Sequence, residues 1–66
     1  MSERLVQQVK MQLDEGAMSM KELAARIRVE EKQVYRVLSQ LHKSGQIVHF
    51  RDVDSVRRYK LSEESS

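Results

Sequence analysis

Lys32, Arg36, Ser39 and Lys43 are spaced by four, three and four positions, and no acidic residue follows Glu31 in this stretch. At about 100° per residue, that spacing sets all four on one face of an α-helix, with Gln33, Tyr35 and Gln40 beside them. Arginine forks onto guanine, glutamine pairs with adenine, and lysine meets guanine or phosphate, so the set suits the major groove of double-stranded DNA. The same residue types are also ordinary for a solvated helix face. A second basic group follows, in which Arg51, Arg57, Arg58 and Lys60 surround Asp52 and Asp54. Arg51, Arg57 and Arg58 are expected to meet a phosphate backbone. The two aspartates would be repelled by phosphate unless they pair with Arg57 or Arg58, and that pairing describes a self-neutralised turn.

The charge is unevenly distributed. The net charge of +2 over 66 residues divides into −1 for residues 1–20, +5 for residues 21–60 and −2 for residues 61–66. A basic middle between acidic ends suits a polyanion-facing side. There is no cysteine, which excludes disulfides, thiolate metal sites, iron–sulfur clusters and a cysteine nucleophile. His42 and His49 have no evident nucleophile or metal partner. His42 is expected to cap the last carbonyls of its helix, and His49 to be a surface or edge residue. A chain this short rarely builds walls around a substrate, so a binding module is expected, with no enzymatic activity, cofactor or metal. No apolar run reaches the roughly 18 residues of a membrane span, and no signal region follows Met1, so a soluble cytoplasmic protein without membrane association is expected.

Periodicity supplies the elements that would hold these groups. Leu5, Val6, Val9 and Leu13 form one stripe of a helix over Ser2 to Glu15, with Ser2 as N-cap and Gly16 as its left-handed terminus. Met11 lies off the stripe. Ser19-Met20-Lys21-Glu22 reads as a capping box, and behind it Leu23, Ala24 and Ile27 mark a two-turn helix. The pair Ala24-Ala25 would let another helix cross closely. Arg28-Val29-Glu30 is a turn whose valine plugs the core. Val34, Val37, Leu38 and Leu41 then define the buried stripe of a third helix, from Glu30 or Glu31 to Lys43 or Ser44, closed by Gly45. Ile47 to Arg51 and Val56 to Leu61 read as two strands around an Asp52–Ser55 turn, anchored by Ile47, Tyr59 and Leu61. Met18 could pair at the edge of this hairpin. The ring of Tyr35 is expected to pack.

Glu22-Leu23-Ala24-Ala25-Arg26-Ile27, followed by Val29 and Val34, resembles a helix-turn-helix. Continuing through Val37-Leu38, Leu41, Gly45-Gln46-Ile47-Val48 and Tyr59-Lys60-Leu61, the chain is similar to the winged-helix superfamily, particularly the small bacterial regulators such as those of fimbrial operons. The resemblance implies an α+β winged helix over residues 1–61, a three-helix core with a C-terminal hairpin wing, and a polar tail over 62–66. It departs from the family pattern at Arg28 and Glu30, where many members have glycine and then serine or threonine. The subfamily that reads left-handed nucleic acid is excluded, because there is no proline or tryptophan in the chain.

The resemblance and the charge pattern together imply a small DNA-binding transcriptional regulator. Its third helix would dock in the major groove and its hairpin on the adjoining backbone, with a homodimer or a protein co-regulator completing the site. Met1, Met11 and the outer side of the first helix are the candidates for self-association. About six cations on phosphates would give a salt slope near −5. The competing reading is a winged-helix protein-interaction module of a larger assembly, motivated by Glu30, Glu31, Asp52 and Asp54 at the borders of the same surface. RNA binding is a third reading, resting only on Tyr35, Phe50 and Tyr59 as stacking surfaces.

Overall fold

A computed structural model describes residues 3–62. The N-cap expected at Ser2, the self-association expected of Met1 and the tail beyond Ser62 lie outside the described residues. Helices α1 (Glu3–Glu15), α2 (Met20–Ile27) and α3 (Glu31–Lys43) precede strands β1 (Ile47–Arg51) and β2 (Arg57–Leu61). The strands pair antiparallel, with Ile47 opposite Leu61, His49 opposite Tyr59 and Arg51 opposite Arg57. Met18 adds a bridge to Tyr59 on the outer edge of β2, with N–H to carbonyl distances of 3.0 and 2.8 Å. The hairpin is therefore held along one edge by the link between α1 and α2, and an isolated two-stranded hairpin would be marginal in water.

The core is the expected set of stripes. Val9 and Leu13 of α1, Leu23 and Ala24 of α2, and Val34, Val37, Leu38 and Leu41 of α3 are buried together with Met18 and Ile47. Leu5, Val6, Ile27, Val29, Tyr59 and Leu61 pack around them, partly buried. Each fully buried Leu, Ile or Val contributes roughly 1.5–3 kcal/mol through the area it removes from water. No helix among the described residues is long and apolar enough to cross a membrane.

Local chemistry sets the boundaries. The Ser19 hydroxyl accepts from the Glu22 N–H and the Glu22 carboxylate accepts from the Ser19 N–H, both at 3.1 Å, so the capping box opens α2 as read. At α3 the Gln33 side chain reaches back to accept from the Glu30 N–H at 3.3 Å. Gly45 (φ 77°) is the left-handed residue after α3. Gly16 is not left-handed, contrary to expectation, and Gly45 is the one positive-φ glycine among the described residues. Instead α1 closes with a tight Gly16 N–H to Leu13 carbonyl bond of 3.2 Å before the chain extends into the Met18 bridge. Left-handed backbone falls on Arg28 (φ 65°, ψ 49°), the C-cap of α2, at the turn where many members of the resembled family have glycine. Its N–H bonds the Ala24 carbonyl at 2.8 Å. Of the pair Ala24-Ala25, only Ala24 serves the helix crossing, since Ala25 is exposed.

Candidate nucleic-acid interface

With Val34, Val37, Leu38 and Leu41 inward, the opposite face of α3 carries Lys32, Arg36, Ser39 and Lys43. All are exposed except Ser39, which is half-buried. Gln33 and Gln40 are exposed on one flank, and Tyr35 and His42 on the other. Among the described residues Lys32, Arg36 and Lys43 form no ion pair. The amide of Gln33 is partly spent, because its oxygen caps α3.

The hairpin meets this helix on the Tyr35–His42 flank. Side chains alternate along a strand, so Ile47, His49 and Arg51 share a face with Arg57, Tyr59 and Leu61. That face changes from apolar at the core, through His49 and Tyr59, to Arg51 opposite Arg57 towards the turn. Tyr35, Arg51, Arg57 and Tyr59 line one cleft between α2, α3 and the hairpin, together with Lys21 and Glu31. Arg51 and Arg57 are exposed and, among the described residues, unpaired. Like charges directly opposite on a sheet are unfavourable, so nothing in the free hairpin explains the pair.

Arg58 behaves differently. Its Nη1 meets Asp52 Oδ2 at 3.1 Å, its Nη2 meets Asp54 Oδ2 at 3.3 Å, and its Nε meets Glu22 Oε1 at 3.6 Å. The sequence reading expects Arg58 on phosphate, with pairing to the aspartates as the alternative, and in this structure three carboxylates hold it. Arg58, by its hydrogen bond, and the Val56 N–H lower the Asp54 pKa below the ordinary carboxylate range. The Ser19 N–H, seconded by the Ser19 hydroxyl and by Arg58, lowers that of Glu22. The same hydrogen bond, donated by Arg58 to Asp54, raises the Arg58 pKa. Glu22 thus caps α2 and ties the turn of the hairpin to it. Asp52 and Asp54 also accept from the Val53 and Val56 N–H groups at 2.8 and 3.0 Å. Lys60 lies over the Phe50 ring, 5.8 Å from its centroid, on the other face of the hairpin.

Two expectations are corrected here. The Tyr35 ring is 59% exposed on the cleft rather than packed, because its place on the helix faces the open side of the hairpin. His42 makes no side-chain cap; its ring stacks on His49, with centroids 5.1 Å apart and planes tilted by 37°. His49 in turn meets the Tyr59 ring edge-on at 6.1 Å. Spacing places each histidine on its face, but not the two faces side by side. His42 falls seven residues after Tyr35 on the same flank, and His49 alternates between Ile47 and Arg51. No group of three or more metal-ligating side chains occurs among the described residues.

The same fold recurs in solved structures. The transcriptional repressor BigR from Xylella fastidiosa superposes with a TM-score of 0.86 at 26% identity, over 94% of this chain and 60% of that one. The fold is a winged helix-turn-helix. A MarR-like transcriptional regulator from Thermotoga maritima matches at TM-score 0.79 and 27% identity, over 97% of this chain and 47% of its own. The regulator HlyU from Vibrio vulnificus matches at 0.75 and 26%, over 96% and 65%. The winged helix thus spans about half to two-thirds of the lengths of these neighbours. No protein-family model and no curated protein matches the sequence. In winged-helix terms α2 and α3 are the helix-turn-helix, and the β1–β2 hairpin is the wing.

Proposed function

We propose that this winged helix is the DNA-binding unit of a transcriptional regulator, with α3 in the major groove and the wing on the adjoining backbone. The observation that carries this reading is the set of five unpaired cations, Lys32, Arg36 and Lys43 on α3 and Arg51 and Arg57 on the wing. They stand on a fold whose solved likenesses at 26–27% identity are transcriptional regulators. Arg36, Gln40 and Lys43 face bases, with Lys32, Arg51 and Arg57 on phosphates; Ser39 and the Tyr35 hydroxyl are short-range donors at the rim. Gln33 contributes its remaining amide donors. Arg58 contributes by holding the wing rather than by touching the duplex.

One such unit covers one half-site, so we further propose a homodimer or a protein co-regulator on the bound duplex. Met11, 66% exposed on α1 beside Arg26 and Ile27 of α2, is available to that contact. The test is fluorescence anisotropy on duplex DNA across a salt series. Three phosphate-neutralising cations, Lys32, Arg51 and Arg57, give a slope of log affinity on log salt of about −2.7, and Arg36→Ala weakens binding by roughly tenfold. Binding that is absent at low ionic strength, or unmoved by salt and by Arg36→Ala, refutes the proposal.

A further inference from the structure

The contact between His42 and His49 closes one wall of a small pocket where α3 meets the wing. Its rim consists of Tyr35, Ser39 and His42 from α3, His49 from β1, and Arg57 and Tyr59 from β2, over Leu38. Every rim residue carries a hydrogen-bond donor, and no carboxylate lines the pocket. None of the six uses its side chain in a hydrogen bond or ion pair among the described residues. The pocket, of about 150 Å³ and open to solvent, has room for a tetrahedral oxyanion.

The charged and titratable groups facing this pocket are Tyr35 and His42 of α3, His49 of β1, and Arg57 and Tyr59 of β2. Arg57 carries a permanent charge and forms no ion pair among the described residues, Glu31 being the carboxylate that shares the neighbouring cleft with it. Two imidazoles with centroids 5.1 Å apart repel each other if both are protonated, and Arg57 adds to that repulsion. An anion seated among them reverses the balance: it supplies the missing counter-charge and makes protonation favourable. Proton uptake and anion binding are then linked, and each strengthens the other.

We propose that this pocket is a phosphate site that takes a phosphodiester of the bound duplex, and that His42 and His49 make DNA binding tighten as the pH falls. The proposal rests on the functional reading above and adds a specific backbone contact to it. Histidine is the side chain whose charge ordinarily changes between pH 5 and 8, so the linkage falls in that window. The sign follows from binding the protonated form: affinity rises with acidity and falls as the imidazoles lose their protons.

The experiment uses the full chain and a mixed-sequence duplex of about twenty base pairs at constant ionic strength. Between pH 8 and pH 5.5 the affinity is expected to rise about tenfold, and His42→Gln with His49→Gln, which keeps donors but removes the charges, flattens that rise to within about twofold. Calorimetry of the unaltered chain in buffers of different ionisation enthalpy gives a second reading free of any folding defect in the variant, and net proton uptake on binding is expected within the same pH range. A double variant with the same pH dependence as the parent, or binding without proton uptake, overturns the proposal. If no duplex binds at all, the functional reading fails, and inorganic phosphate judges the pocket separately. Saturable shifts of the two histidine ring protons on adding phosphate, absent with chloride, then assign it to free phosphate. Unchanged ring protons with phosphate remove the site.

Discussion

The wing contains two kinds of arginine within one short hairpin. Arg58 is 23% exposed and surrounded by Asp52, Asp54 and Glu22. Arg51 and Arg57 stand opposite each other on the other face with no carboxylate partner among the described residues. Strand alternation separates them: Arg57 and Arg58 are adjacent in sequence and therefore point to opposite faces. One face of the hairpin uses its charge to fix the wing to the start of α2. The other leaves Arg51 and Arg57 without an ion pair among the described residues, in a cleft that Glu31 also lines, and open to an external anion. A simple count of basic residues cannot distinguish these roles, because the partners of Arg58 come partly from the turn and partly from an element more than thirty residues earlier.

The strongest way to break this contrast is to remove each set in turn. Arg51→Ala with Arg57→Ala is expected to weaken duplex binding by roughly thirtyfold and to reduce the magnitude of the salt slope by about 1.8. Its thermal stability should hold or rise slightly, because a like-charged cross-strand pair has been removed. Arg58→Ala is expected to leave the slope unchanged and to accelerate hydrogen exchange of the hairpin amides by about tenfold. Its effect on affinity follows from a looser wing and is smaller than that of the double variant. A slope that falls by about one unit in Arg58→Ala would move Arg58 into the same class as Arg57.

Acid provides a milder version of the Arg58 experiment. The carboxyl pKa values of Glu22 and Asp54 are lowered, from ordinary values of 4.5 and 3.8. Lowered pKa values in the folded state mean that their contribution is complete above the ordinary values and is lost as the pH falls through the folded ones. Stability of the wing should therefore hold at pH 6 and decline below about pH 4.5, with hairpin amides exchanging before those of α3. A hairpin and an α3 that lose protection together would show that the Arg58 cluster does not set the local stability of the wing. The direction is opposite to that expected of the histidine pocket, so tighter binding near pH 5.5 and loosening of the wing at lower pH are separable in one titration.

Much of this architecture was legible because it depends on local rules. The stripes Val9–Leu13 and Val34–Val37–Leu38–Leu41, the capping box at Ser19, the glycine after α3 and both strands follow from period and capping chemistry. The outward set on α3 was legible for the same reason, since a buried stripe defines its opposite face. What the sequence did not disclose depends on distance in space. Glu22 belongs to a capping box in sequence and to the Arg58 cluster in the structure. His42 and His49 read as a cap and an edge residue until α3 and β1 were set side by side. Tyr35 was misplaced because its flank of the helix faces the cleft rather than a packed surface. Gly16 was misread because a glycine after a helix need not be left-handed when the next residues extend into a bridge.

Arg28 tests whether a cation can be exposed and unpaired yet lie outside both arginine classes. It sits at φ 65° in the turn between α2 and α3, and no ion pair holds its side chain among the described residues. Left-handed backbone costs a residue with a Cβ roughly 1–2 kcal/mol, whereas glycine adopts it freely but loses about 0.5–1 kcal/mol of unfolded-state entropy. The net gain for Arg28→Gly is about 0.5 kcal/mol, or a rise of roughly 3 °C in Tm for a domain of this size. Because Arg28 precedes α3 rather than standing on its outer face, its loss should leave the salt slope where it was. A stabilised variant with an unchanged slope separates backbone strain from phosphate contact. A slope reduced by about 0.9 would instead extend the footprint across the turn and explain why a strained arginine occupies the glycine position.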